Sequence, residues 1–198
     1  MNKQKFAQLF FKNRSYTPIP FLILMVIFEQ ATYHSLIIGF IVSLIGEAIR
    51  LWGVSWAGSE TRTTGNVGGT FLIISGPFAF VRNPLYVGNM LIYLGLGIMS
   101  LALFPYLQII AILFFIIQYS LIVSEEEEYL KKTYGEHYKK YFSSVPRFFP
   151  RLTPYKDSNV EQPPFKIAAG LRSERRTLQA LFGVSLFLVI KFLIRIYG

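Results

Sequence analysis

The sequence has no cysteine, which excludes thiol chemistry, disulfide scaffolds, Fe–S clusters and cysteine-type structural zinc. Its two histidines, His34 and His137, stand far apart in the chain, which argues against a histidine metal site or a histidine triad. Charge is scarce too, at 16% of residues, where soluble domains carry about 25%. Against these shortages, 53% of the 198 residues are apolar, and most lie in runs too long for soluble helices. Disorder and collagen are excluded by the same composition. The length is that of a single domain, taken as 1–198. The charge present is lopsided, with a net +9. A basic excess serves nucleic acid or an anionic membrane. The apolar runs decide for the membrane, so no nucleic-acid partner is expected.

The runs predict an all-α integral membrane protein of about five transmembrane helices. The first segment covers about Ile19 to Tyr33 and is short, with Glu29 inside it. The second covers Ser35 to Ala57 and carries Glu47 and Arg50 on one face near its end. Residues 58–83 open with a Gly- and Thr-rich loop, followed by an apolar stretch broken at Ser75-Gly76-Pro77. Asn83-Pro84 reads as a helix start, with Asn as N-cap and Pro at the first position, and the third helix runs to about Leu103. The fourth begins near Tyr106, is apolar to Val123, and continues as a polar helix that Gly135 ends. A fifth apolar segment, 178–197, contains Lys191 and Arg195, placed to snorkel. The N-terminal tail carries Lys3, Lys5, Lys12 and Arg14 with no acidic residue, and residues 124–177 hold 11 Lys/Arg. The positive-inside rule then puts the N-terminus, the 58–83 loop and the 124–177 segment in the cytoplasm. The polar residues that could form a site gather on that face.

Three constellations there carry chemistry. In GPFAFVRNPLYVG (76–88), Arg82 precedes a helix N-terminus whose free N–H groups and positive dipole suit a carboxylate or phosphate, and Tyr86 lies one turn on. The competing reading is a topology-setting charge and an interfacial tyrosine. The second is the acidic run Glu125–Glu128. Successive helical residues turn by about 100°, so the four carboxylates cannot all face one way and one is expected to face inward, where burial is costly unless it is paired or functional; the competing reading is a solvated helix pairing with Lys131 and Lys132 at i, i+4. The third is YGEHYKKYFSSVPRFFPR, with Tyr138, Arg147 and Arg151, which also suits a segment lying on anionic headgroups. GNVGG (65–69) fits no nucleotide-loop spacing, and Arg62 among Thr61, Thr63 and Thr64 is a weak phosphate signal.

GPFAFVRNPLYVGN followed about forty residues later by EEEEYLKKTYGEHYKKYFSSVPRFFP resembles the isoprenylcysteine carboxyl methyltransferases, integral-membrane enzymes related to the phospholipid N-methyltransferases. The likeness covers roughly residues 70–151. It implies methyl transfer from S-adenosylmethionine to a lipophilic acceptor, an isoprenylcysteine-type carboxylate or a phospholipid-like group. By this resemblance the cofactor contacts are Thr70, Phe71, Leu72, Ile73, Phe78, Asn83, Pro84, Leu85, Tyr86 and Glu127. Glu126 matches the family's functional glutamate, Arg82 joins it as a catalytic candidate, and Arg147 and Tyr138 are substrate candidates. The sequence departs from the pattern at Asn83 and Thr70, where His is common. It departs also at Ile122, where the family places a substrate-binding arginine four residues before the glutamate. Sterol-reductase-like proteins share the Arg-x-Pro-x-Tyr motif and use NADPH, so a membrane reductase is the second expectation and a non-enzymatic membrane protein the third.

Overall fold

The computed structural model describes residues 11–58 and 71–198. The regular structure of these residues is helical throughout: α1 (Ile19–Ile27), α2 (Tyr33–Ala57), a 3-10 turn (Gly76–Ala79), α3 (Pro84–Ser100), α4 (Tyr106–Ser144) and α5 (Ile167–Tyr197). Helices α2, α4 and α5 are long and apolar enough to cross a membrane, and α3 is a shorter apolar helix of 17 residues, about 25 Å at 1.5 Å per residue.

Helix α1 has nine residues, about 14 Å, and does not cross alone. The expected span to Tyr33 stops at Ile27 because Glu29 makes a turn instead: its Oε1 accepts from Ala31 N (2.6 Å) and meets Arg195 Nη2 at 3.3 Å. The N-terminal segment still links the two ends of the bundle. Thr17 Oγ1 donates to Gln118 Oε1 (3.0 Å) on α4, and Gln30 N donates to Ser100 O (2.8 Å) where α3 ends. A capping box then starts α2, with the Thr32 and Ser35 side chains each accepting the other's backbone N–H.

Helices α2 to α5 alternate in direction. Ser35 and Ser43 of α2 donate to Met99 O and Ile92 O of α3, each at 3.2 Å. Tyr33 meets Tyr197 at one end of the α2–α5 pair, and Lys166 N donates to Ser55 O (2.8 Å) at the other. Lipid gives helices no hydrophobic reason to associate, so close backbone packing must do it. A Cβ added at Gly39 would stand 2.4 Å from Gly95 O and from Met99 N. Large apolar side chains point outward instead: Ile37, Ile41 and Ile45 on α2, Ile110 and Ile117 on α4, and Leu186 and Ile194 on α5 are all exposed. The interior is mixed, with apolar clusters such as Met99, Leu181, Leu188 and Phe192 beside buried Ser43, Glu47, Gln118 and Glu174, and the outside is apolar, as a bilayer requires.

Helix α5 begins at Ile167, eleven residues before its apolar run. Gly170 packs against Ser55, and buried Glu174 takes Arg50 Nη2 at 2.7 Å. Gly135, with φ 51° and ψ −123°, breaks α4 into two stretches where the sequence predicted an end. A residue with a Cβ adopts that conformation poorly. The break turns residues 136–144 back over the bundle end, and this fold-back builds the site.

Candidate active site

The site lies where α2 ends, α3 begins, and α4 leaves its apolar run at Val123. Residues 71–81 and 145–155 run over it side by side. Arg82 N donates to Pro146 O, Arg151 N to Phe80 O and Tyr155 N to Ala79 O, each at 2.9 Å. The Gln162 amide holds the extended 72–75 stretch, accepting from Ile74 N (2.9 Å) and Ser75 N (3.1 Å) and donating to Leu72 O (2.8 Å). Gly76 turns this stretch at φ 62°, and a Cβ there would sit 2.3 Å from the Trp56 ring. Beneath, Leu72 and Ile74 pack with Tyr138, Tyr141 and Val145.

The acidic run divides by helix face. Glu127 points inward and is 4% exposed. Arg82 Nη2 and Nε reach its Oε1 at 2.9 and 3.1 Å, Arg147 Nε reaches the same oxygen at 3.2 Å, and Arg147 Nη2 bonds its Oε2. Arg82 also donates through Nη1 to Phe142 O (2.6 Å) and to Val145 O, and its guanidinium lies 4.2 Å over the Phe142 ring. A guanidinium so engaged has its fork of donors spent on the protein. Glu127 is therefore the joint between α4 and the cap that residues 71–81 and 145–155 form over the site, and Arg82 and Arg147 are its clamps.

Glu126 is one step around the helix and is placed differently. Its Oε1 accepts from Tyr86 Oη at 3.0 Å. The Tyr86 ring rests on Tyr119, centroids 4.6 Å apart. Glu126 lies beyond the apolar run. Burial pushes its carboxyl up to about 7, with Glu127 adding to the rise and the Tyr86 hydrogen bond and the Arg14 charge opposing it. A carboxyl balanced near neutrality can take or give a proton at working pH.

Of the other predicted residues, Phe71, Leu72, Ile73 and Phe78 do line up along the stretch before and through the turn, and Phe78 O accepts from Tyr141 Oη (2.8 Å). Pro84 and Leu85 form the first turn of α3, to which no side chain contributes a capping bond. Asn83 is at the N-cap position, yet its Nδ2 donates to Arg147 O (3.2 Å) rather than the side chain capping the helix. Tyr138 is 1% exposed and belongs to the packed layer under the cap. Thr70, with Thr61–Thr64 and GNVGG, lies outside the described residues. His137 faces Asp157 at 4.0 Å with half of its side chain exposed, and His34 is in the first turn of α2, at the far end. Arg14 and Gln162 were not among the sequence candidates. Gln162 carries no signal, being one amide in a polar stretch, and Arg14 was visible only as part of a basic tail.

This stretch, from the start of α2 to the fold-back, is also what known proteins share. The phospholipid methyltransferase family model matches residues 34–137. The chain belongs to the phospholipid methyltransferase family. The matched part includes α2, α3, the Arg82–Tyr86 motif and both Glu126 and Glu127; Arg14, Arg147, Gln162 and α5 fall outside it. The chain is 32% identical over 111 residues to the cobalt-zinc-cadmium resistance protein CzcN of Cupriavidus metallidurans, covering 56% of this chain and 47% of that protein. It is 32% identical over 91 residues to the nickel-cobalt-cadmium resistance protein NccN of Alcaligenes xylosoxydans xylosoxydans, covering 46% of this chain and 41% of that one. The chain thus spans less than half the length of these curated relatives. No solved structure matches it.

Proposed function

We propose that this family member transfers a methyl group from S-adenosylmethionine to a lipophilic acceptor at the cytoplasmic face of the membrane. The Tyr86–Glu126 pair carries the reading: a carboxyl near neutrality, held by a tyrosine, at the point where the apolar span meets the polar cap. The residues present suit the cofactor. Its carboxylate has a partner in the first turn of α3, whose N–H groups no side chain caps. Its cationic centre has Glu126, and its flat ring has the aromatic and aliphatic edge of Phe71, Ile73 and Phe78, with Leu72 anchoring that stretch from beneath. Thr70, Asn83, Pro84, Leu85 and Tyr86 complete the proposed contacts. When bound, S-adenosylmethionine supplies an electrophilic methyl on a sulfonium, with a neutral thioether as leaving group.

The chain's own work is positioning and proton transfer. Tyr86 orients the Glu126 carboxylate through its hydroxyl. Glu126 takes the proton that an amine acceptor loses as its nitrogen gains the methyl. Arg82 and Arg147 act through Glu127 and hold the cap closed over the site, which keeps water out. Tyr138 supports that cap from beneath. The exposed apolar belt admits a lipid tail from the side, and the polar cap faces the compartment that holds the cofactor.

Incubating the full chain in lipid nanodiscs with methyl-labelled S-adenosylmethionine tests this, with label read in the lipid extract. Labelled lipid is expected from the wild type, and Glu126→Gln should reduce it by about 10²-fold, the scale of a lost general base. Equal labelling by wild type and E126Q would remove Glu126 from the reaction.

A further inference from the structure

Helix α5 lies outside the family match, packs on α2 and α3, and takes no part in the chemistry proposed above. It carries the basic stretch LRSERR (171–176) just before its apolar run begins at Leu178. Glu174, the acid in that stretch, is turned inward onto Arg50. Arg172, Arg175 and Arg176 are all exposed. They are related as i, i+3 and i+4, so they share the side of the helix turned away from the bundle, within about 6 Å of its length. Among the described residues no carboxylate pairs with any of them. Three like charges so placed repel one another. Helical side chains lean toward the N-terminus of their helix. In α5 that is the end bonded to Ser55 of α2, where the site lies. The guanidiniums therefore stand just outside the hydrocarbon, at the height of lipid phosphates.

The same side of α5 continues into a groove. Phe182 and Leu186 follow Arg175 by 7 and 11 residues, which puts both within about 20° of its direction at about 100° per residue. With Leu36 and Phe40 of α2 they line an apolar groove of about 400 Å³. From Leu178 to Phe182 and Val189 it lies about 6–16 Å below the start of the apolar run, in the deeper part of a leaflet about 15 Å thick. The polar side chain in its wall, Ser185, donates to Met99 Sδ (3.6 Å).

A cationic patch with an apolar furrow below it on one helix edge matches a phospholipid of net negative charge. A soluble anion has no use for the furrow, and a zwitterionic lipid brings its own cation to the arginines. A second copy related by a twofold axis along the membrane normal would set its arginines against these.

We infer that α5 binds an anionic phospholipid of the leaflet on the site's side, with its phosphate on Arg172, Arg175 and Arg176 and an acyl chain in the α2–α5 groove. The lipid is a structural ligand and not the methyl acceptor, because α5 packs on α2 and α3 rather than on α4, which carries Glu126. It offsets the repulsion among the arginines and ties α5 to α2. The inference stands apart from the methyl-transfer reading.

The test titrates dioleoylphosphatidylglycerol and dioleoylphosphatidylcholine, which differ only in head group, into the full chain in neutral maltoside micelles, and counts bound lipid by native mass spectrometry. Wild type should prefer the anionic lipid by about 10²-fold, at roughly fivefold for each basic residue near a lipid surface. The triple variant Arg172→Gln, Arg175→Gln, Arg176→Gln should lose that preference. Arg175→Gln alone should lose about fivefold, and provides the reading if the triple variant folds poorly. Leu186→Trp, which fills the groove, should weaken both lipids and keep the preference. Phosphatidylglycerol should also raise the unfolding temperature of wild type and not that of the triple variant. Equal preference in wild type and R175Q, or a wild type with none, would overturn the inference. So would unchanged lipid binding in L186W, or displacement of the lipid by millimolar inorganic phosphate. A dimer that L186W dissociates would give the groove to a second copy and overturn it too.

Discussion

Replacing Arg82 by Gln should release the cap while leaving the helical bundle intact. The side chain is 9% exposed and its partner Glu127 5%. Loss of the guanidinium removes two contacts to Glu127 and the donor to Phe142 O and Val145 O. Breaking a buried ion pair costs about 3–5 kcal/mol. The low end applies here, because Arg147 stays on Glu127, though with 31% of its side chain exposed it is the more weakly held clamp. The two carbonyls are reached by water once the cap loosens and add little to this. A net loss of about 3 kcal/mol is roughly 10²-fold in the closed-to-open ratio of the cap. Amide hydrogen exchange in detergent reads this directly, because the N–H groups of Arg82, Arg151 and Tyr155 bond across the cap seam. In R82Q, peptides covering 146–155 should exchange about 10²-fold faster, while those from α2 and α3 keep wild-type protection. Arg82→Lys, with one donor group in place of a fork, should recover only part. Unchanged exchange in R82Q would show that Arg82 does not hold the cap and would return it to direct contact with a ligand.

Glu126 gives a pH signature. Its carboxyl is raised to about 7 by burial, so methyl transfer to an amine should rise with pH through about 7, and E126Q should lose that limb. The same shift acts on stability with the opposite slope. The folded chain holds this proton more tightly than the unfolded one, so the contribution is present in full below about 4.5 and fades as pH rises through about 7. Thermal unfolding of E126Q between pH 5 and 8 should be flatter than wild type. Gly39→Ala should destabilise by about 1–3 kcal/mol, because its Cβ would meet backbone atoms of α3 that cannot move aside; thermal unfolding in detergent reads it. Glu174→Gln should lower the unfolding temperature as well, since it leaves the Arg50 guanidinium buried with less of its counter-charge, at about 3 kcal/mol. A wild-type melt for either variant would place the helix contact elsewhere.

The parts of the fold legible in the sequence were those written locally. The apolar runs placed α2, α3 and the first half of α4, and Asn83-Pro84 marked the start of α3 as observed. The inward turn of one of the four glutamates followed from helical geometry alone, and it is Glu127. What long-range contact decides was not legible. Residues 167–177 look like polar loop, and become helix because Glu174 pairs with Arg50 across 124 positions. Glu47 and Arg50 look like a pair at i, i+3, yet Arg50 is 3.9 Å from Glu47 and 2.7 Å from Glu174. In the site, the motif order put Arg82, Tyr86, Glu126 and Glu127 in one place. It could not show that Arg82 is turned toward Glu127 rather than toward a ligand, nor that Gln162 holds the 72–75 stretch from 88 positions away.

Calorimetric titration of S-adenosylmethionine into the purified full chain, with NADPH titrated in parallel, tests the cofactor assignment most directly. Saturable binding of S-adenosylmethionine is predicted, weakened in E126Q and in Tyr86→Phe although both fold, with no binding of NADPH. Binding of NADPH and not S-adenosylmethionine would contradict it, and would assign the Arg82-to-Tyr86 motif to reductase chemistry instead.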